Sequence, residues 1–223
     1  MKYFLRDEVL MHNKPKDFWV IFFNDVLDLT LFFKTREDSM THSLKFLQQY
    51  GGQDISHFFN PDKTPYTRIS VTGSHVPVFP VVNECSGSDV FGNRNLTWWQ
   101  DPFWKIGELT KQPRKVRIVN TLSVSTQEMT VCEEDTLDII RTKYQKYNWN
   151  HDKYQWCKYD ADKDVYEDIC FRKTLTENGF HCHEYGEPHT PSLWLFFKDE
   201  AQFAGILSHL SKRTYACENK IVT

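Results

Sequence analysis

Apolar residues change their spacing several times along the chain, and each change marks an element. Trp19-Val20-Ile21-Phe22-Phe23 is a β-rich run without a helical period, and Val26-Leu27-Asp28-Leu29 follows it closely. Asn24-Asp25 between them has turn chemistry, so the two runs predict a hairpin. Asp7 stands where it would cap a short helix running to His12, and Thr30 where it would cap one carrying Leu31, Phe32 and Phe33. A further helix is predicted from about Thr41 to Tyr50, with Leu44, Phe46 and Leu47 as its apolar stripe. Gly51-Gly52 stops it, and Asp54 can cap the next turn, which carries His57.

From Asn60 to about Arg94 the pattern loosens into Pro, Gly, Ser, Asn and Thr, broken by two extended pieces, Thr67 to Val71 and Val76 to Val82. The prolines in the second keep it off a central strand position. Asn83 to Asn95 is the most loop-like segment. Trp98, Trp99 and Trp104 then crowd into seven residues, a density that favours core packing over a ligand-stacking site. After Lys111 the period changes again. Val116 to Val119 and Met129 to Cys132 pair around a Ser/Thr/Gln-rich turn, and Asp135 or Thr136 caps a helix bearing Leu137, Ile139, Ile140 and Tyr144. Tyr154 to Tyr159 is the next strand, Lys173 to Gly179 a single helical turn ended by glycine, and Leu193 to Phe197 a fully buried strand. Hairpin, helix, strand, one-turn helix and central strand, in that order, predict the β-grasp of ubiquitin.

These elements predict an α+β chain of three parts: 1–110, a loop-extended N-terminal domain; 111–199, a ubiquitin-like β-grasp domain; and 200–223, an amphipathic helix and tail. In the last part Phe203, Ile206, Leu207 and Leu210 share one helical face, suited to the chain's own domain or to a partner's groove.

Composition narrows the function classes. The 223 residues are 40% hydrophobic and 15% aromatic, enough for one large domain or two of ordinary size, and the net charge of −3 offers no bulk attraction to nucleic acid or anionic lipid. No apolar run approaches the about 20 residues that span a bilayer, and the charged start lacks a secretory pattern, so a soluble intracellular protein is expected. The six cysteines form no CxxC pair and read as thiols in a reducing compartment. Cys170, His181, Cys182, His183 and His189 cluster, but at no usual zinc spacing. Asp160, Asp162 and Asp164 begin like a calcium loop, yet Val165 replaces its glycine and Phe171 its closing glutamate, so a solvated hairpin tip is expected. Lys111, Arg114, Lys115 and Arg117 offer a basic run for an acidic partner, although a strand's solvent face explains half of it. No nucleophile–base set, phosphate loop or carboxylate pair stands at a recognisable spacing, so neither an enzyme nor a small-molecule substrate is indicated.

The one motif with cofactor chemistry is Tyr50-Gly51-Gly52-Gln53-Asp54-Ile55-Ser56-His57-Phe58-Phe59. A histidine on an aromatic-flanked turn can hold a flat, apolar cofactor by one imidazole nitrogen. Trp19-Val20, Val26-Leu27 before Asp28-Leu29-Thr30, Phe33, and Gly51-Gly52 with Asp54 make residues 1 to 60 resemble cytochrome b5. The chain as a whole resembles more closely the cytochrome b5 domain-containing protein 1 family. That likeness rests on Gly52 to Phe59, Trp98-Trp99-Gln100, Val116 to Leu122, Leu175 to Gly179 and His189-Thr190-Pro191, all in the same order and together covering about residues 2 to 200.

The resemblance implies a haem held between two histidines, the first matched by His57. The second family position, about eleven residues on, falls at Thr67-Arg68-Ile69, and arginine keeps its proton and does not ligate iron as imidazole does. The usual His-Pro-Gly-Gly position of ordinary cytochromes b5 holds Arg36-Glu37-Asp38-Ser39, charges that would stand at the slot's mouth. His42 and His75 match no ligand position, and His12 matches a structural helix-end histidine. His57 is therefore expected to be packed and hydrogen-bonded in a haem-free scaffold, with haem at His57 as the alternative. The resemblance further implies a non-catalytic structural and interaction protein of the motile-cilium axoneme, at or near the radial spokes, with axonemal chains as partners. A haem-dependent redox or sensor protein is the other reading. The tail Glu218 to Thr223 has no terminal Gly-Gly, so conjugation of the ubiquitin-like part is not expected.

Overall fold

A computed structural model of the chain describes residues 1–36, 41–79, 95–181, 183–184, 187–188 and 190–198. The predicted helix over 200–213, the tail, and the segment Asn83 to Arg94 lie outside these residues. The chain is mixed α+β and divides into two compact units, Met1–Thr110 and Lys111–Thr223.

The first unit is built on a five-stranded sheet. Its strands are β1 (Tyr3–Phe4), β2 (Asn13–Lys14), β3 (Asp17–Phe22), β4 (Asp25–Asp28) and, after β5 (Thr67–Ile69) and β6 (His75–Pro77) form a separate hairpin, β7 (Lys105–Leu109). The spatial order is β1-β7-β4-β3-β2, with β1 and β7 parallel and the other pairs antiparallel. The β3–β4 hairpin pairs Phe22 with Asp25, so its two-residue turn is Phe23-Asn24, one place earlier than the expected Asn24-Asp25. Both turn residues have positive φ, 48° and 70°, the backbone that two-residue hairpins need to match strand twist. Phenylalanine is an unusual residue there, which is why the turn signal pointed to its neighbours.

Three helices flank this sheet. In α1 (Arg6–Met11), Leu5 rather than Asp7 takes the cap position, and Glu8 reaches back to accept the Leu5 N–H at 2.8 Å. In α2 (Thr30–Lys34), Thr30 sits inside the helix. Its hydroxyl accepts the Phe18 N–H at 3.0 Å, while Asp28 accepts the Thr30 N–H at 2.9 Å. The helix start is thus tied to the sheet through side chains, a role the local sequence does not distinguish from capping. α3 (His42–Gln48) starts where the helix was expected, and the Thr41 hydroxyl caps it by accepting the Leu44 N–H. The strand β7 has no counterpart among the expected elements. Its Gly107 is required, because a Cβ there would lie 2.4 Å from the Lys2 carbonyl oxygen of the β1 side.

The second unit contains β8 (Pro113–Asn120), β9 (Ser125–Cys132), α4 (Leu137–Tyr144), β10 (Tyr154–Asp160), β11 (Val165–Asp168), a small pair β12 (His183–Glu184) and β13 (Glu187–Pro188), and β14 (Ser192–Phe197). Its main sheet runs β11-β10-β14-β8-β9, with β14 parallel to β8 at the centre. Val116, Ile118, Val131, Trp156, Leu193 and Leu195 form one buried core with Leu137, Ile140 and Tyr144 of α4. Thr136 is the helix cap, and the neighbouring Asp135 is buried, accepting the Cys132 N–H at 3.0 Å and pairing with Lys143 at 2.8 Å. Ile139, expected on the apolar stripe, is 42% exposed. β14, expected to be buried on both faces, alternates instead: Leu193 and Leu195 are fully buried, whereas Ser192, Trp194 and Phe196 are half-buried. α4 covers one face of the sheet, and aromatic side chains on the other gave the run its continuous apolar look.

Candidate functional site

His57 is placed by a chain of backbone constraints that starts at the paired glycines. A Cβ on Gly51 would meet the Phe18 ring at 2.7 Å, and Gly52 has φ +75° with the Leu10 backbone 2.8 Å from its would-be Cβ. Only glycine fits both demands at Gly52. The segment then laces onto β3: the Gly52 N–H donates to the Trp19 carbonyl at 2.7 Å, Ile21 donates to the Gln53 carbonyl at 2.9 Å, and Ile55 donates to the Ile21 carbonyl at 3.0 Å. Asp54 accepts the Ser56 N–H at 3.0 Å and the Ser56 hydroxyl, as an aspartate opening a turn does. The Ser56 oxygen in turn accepts the Phe23 N–H at 2.8 Å, fastening the 3-10 turn Ser56–Phe58 to the β3–β4 hairpin.

On that turn the His57 Nδ1 lies 3.0 Å from the Asp54 carbonyl. A carbonyl only accepts, so Nδ1 carries the proton and Nε2 presents its lone pair. A neutral histidine held in this way can ligate a metal through Nε2. The ring is exposed rather than packed, however, with Phe58 4.0 Å away as its nearest aromatic neighbour. The expectation of a packed histidine is corrected here: its hydrogen bond is local, and the turn turns the ring outward.

Aromatic rings fill the region behind His57. Phe79 is fully buried, stacks on Phe58 at 4.7 Å, and lies 5.8 to 6.4 Å from Phe46, Tyr50, Phe59 and Trp98. Trp98, Trp99 and Trp104 are buried in the same core as Phe18, Phe32, Leu44 and Leu47, so this tryptophan cluster packs. Sequence reasoning placed Phe79 in a proline-flanked extended piece and missed it as the plug of this core. The one available signal was a large aromatic standing alone in a polar, loop-like stretch.

Other residues tied to a haem slot are dispersed. Thr67, Arg68 and Ile69 stand on the exposed strand β5, opposite Pro77, Val76 and His75. His42, at the start of α3, and His75 are both exposed. Arg36 lies along α2, its guanidinium 3.9 Å above the Phe32 ring and donating to the Phe32 carbonyl at 3.1 Å. Glu37 and Asp38 lie outside the described residues. His12 stacks on Trp19 at 3.5 Å and pairs with Asp17 at 2.6 Å. A bis-imidazole haem needs two histidines facing each other across an apolar slot. Here the candidate histidines are exposed and the interior is occupied by rings, so the residues present do not fit that group.

Other candidate chemistry is placed as follows. Arg114 of the basic run is buried, pairing with Glu133 at 3.1 Å and donating to the Phe180 carbonyl at 2.9 Å, so it braces the second unit. Arg117 pairs with Glu128. Asp160, Asp162 and Asp164 form the tip of the β10–β11 hairpin. The Lys163 ammonium, bonded to Asp160, holds that carboxyl below its ordinary range, and Asp164 accepts from the Tyr159 hydroxyl. Of the cysteine–histidine cluster, Cys182, His189 and the side chain of His183 lie outside the described residues. Among those described, no group of three His, Cys, Asp or Glu could hold a metal ion, and Cys132, Cys157 and Cys170 are thiols rather than disulfides. No helix among them is long and apolar enough to cross a membrane.

This α+β chain, whose first unit sets a histidine on a glycine-paired turn beside an aromatic core, matches proteins named for a cytochrome b5 domain. Cytochrome b5 domain-containing protein 1 of Xenopus laevis is 33% identical over 224 residues, matching 89% of this chain and 95% of the relative. The protein of that name from Homo sapiens is 31% identical over 219 residues, with 89% and 91% covered, and that from Xenopus tropicalis 30% over 226 residues, with 89% and 95%. The chain belongs to the cytochrome b5 domain-containing protein 1 family. No family model matches it.

Proposed function

We propose that the protein is a non-catalytic structural and interaction component of the motile-cilium axoneme, at or near the radial spokes, in which a haem-free cytochrome b5-like unit is joined to a ubiquitin-like β-grasp unit. The observation that carries the reading is the filled interior beside His57. Phe79 and its neighbouring rings pack the core behind the His57 turn, while the histidine itself faces outward, which supports a scaffold without haem. A scaffold that keeps the family's fold signature without its ligand set serves through its surfaces. The ubiquitin-like reading is supported by the sheet order β11-β10-β14-β8-β9 with a parallel centre, and by α4 following the first hairpin. The axonemal location comes from the family resemblance, and its partners are axonemal chains.

Two measurements test the two halves of this reading. The purified protein is titrated with haemin, beside a His57→Ala variant. No Soret band distinguishing the two is expected, and a sharp band lost on substitution would replace the scaffold reading with a haem-dependent sensor. Fractionation of motile cilia is expected to leave the protein on salt-washed axonemes. Complete release into the detergent-soluble matrix would end the structural reading.

A further inference from the structure

In the second unit, the end of β9 and the last turn of α4 bring together a thiol, a carboxylate and an ammonium. Cys132 has no exposed surface and Asp135 only 2%. A short turn fixes the two. The Cys132 N–H donates to the Asp135 carboxylate at 3.0 Å, and the Asp135 N–H donates back to the Cys132 carbonyl at 3.1 Å. Lys143 reaches this turn from α4. Its ammonium donates to the same Asp135 oxygen at 2.8 Å and lies 3.9 Å from the Cys132 sulfur. A neighbouring ammonium makes a thiol more reactive, whereas a buried thiol without one is inert. Cys157 supplies the contrast, equally buried but set beside the Asp168 charge.

We propose that Cys132 and Lys143 form an oxidative modification site, at which a peroxide joins the Cys132 sulfur to the Lys143 nitrogen. In the first step the sulfur attacks one peroxide oxygen. The S–O bond forms, the O–O bond breaks, and the released hydroxide leaves as water with the thiol proton. Sulfur is oxidised to a sulfenic acid and the peroxide is reduced. In the second step Lys143 passes one proton to Asp135, and its nitrogen attacks the sulfur. The S–N bond forms, the S–O bond breaks, and the hydroxyl leaves as water with a second proton from the nitrogen. No further oxidant is consumed. The fold favours this outcome over the usual ones, in which a sulfenic acid condenses with another thiol or with a backbone nitrogen. Burial of Cys132 keeps the thiols of other molecules away, and the next backbone N–H, that of Glu133, is committed to the Gln112 carbonyl at 3.1 Å. The Lys143 side chain is 23% exposed, so a small peroxide has an approach along its stem. The stem's rotatable bonds let the nitrogen close on the sulfur. The link ties α4 to the end of β9, an edge strand of the sheet.

Hydrogen peroxide treatment of the full-length protein, followed by thiol blocking and tryptic peptide mapping without reductant, tests the proposal. The peptide containing Cys132 is expected to be joined to the one containing Lys143, the pair lighter by two hydrogens than its separate parts. Dithiothreitol is expected to release them. Lys143→Arg keeps a cation beside Asp135 and is expected to abolish the link while circular dichroism stays unchanged. Recovery of Cys132 unmodified, as a sulfinic acid, or as a disulfide with another cysteine, with Lys143 cleaved normally, would overturn the assignment. So would a link that forms as fast in urea as in the native protein, because the fold would then have no part in selecting it.

Discussion

Cys157 shows how far one side chain's chemistry follows from its place in a sheet. It has no exposed surface, and burial, assisted by the nearby Asp168 charge, pushes its thiol from the ordinary 9.0 up to about 12. The folded state therefore holds a proton that the unfolded chain releases. The resulting stability is fully present below about pH 9 and is lost as pH rises toward about 12. Alkylation of Cys157 in the native protein is expected to be far slower than in denaturant and to go on rising with pH toward about 12, whereas the denatured profile levels off above the ordinary thiol value. A native profile that tracks the denatured one would refute this burial. At the same scale, the backbone of the His57 turn was legible, because Gly51, Gly52 and Asp54 carry local instructions. The plugging by Phe79 was not, since it depends on chain segments far apart in sequence.

Elements whose signals are local came through best. α3 is bounded by Thr41 and the paired glycines, and α4 by Thr136. Thr41→Ala removes the acceptor for the Leu44 N–H and is expected to destabilise the first unit by about 1 kcal/mol. Thr41→Ser should restore most of that in urea unfolding, whereas a loss unaffected by serine would assign the effect to the methyl group. β7 was missed for the opposite reason. Lys105 to Leu109 has little strand character of its own, and becomes a strand by pairing with β1 on one side and β4 on the other. Its Lys105 is then held by Asp25 and Glu108, whose carboxylates raise the ammonium above its ordinary value. Arg114 illustrates the same limit: as one letter in a basic run it suggested a surface, and only the fold reveals Glu133, Thr176 and the Phe180 carbonyl around it.

Across the whole molecule, the two units have separate cores, one dense in phenylalanine and tryptophan and the other centred on Trp156, Leu193 and Leu195. Trp98→Ala is expected to cost the first unit about 3–5 kcal/mol while amide exchange protection in β8, β10 and β14 stays unchanged. Parallel loss of protection in both units would show that they unfold together. The mixed α+β character was legible because hairpins and capped helices announce themselves. The half-buried aromatic side of β14 was not, because an aromatic strand reads alike whether one face or both are covered.

The central place of β14 also sets an order in time. It pairs with β10 and β8, whose own partners β11 and β9 are made earlier, so the sheet exists as two disconnected hairpins until Phe197 has been synthesised. A ribosome-bound chain must carry both hairpins with their apolar sides uncovered until that strand emerges. Translation stalled between Asp168 and Ser192 should therefore yield a nascent chain that recruits holding chaperones, even though four of the five strands are already complete.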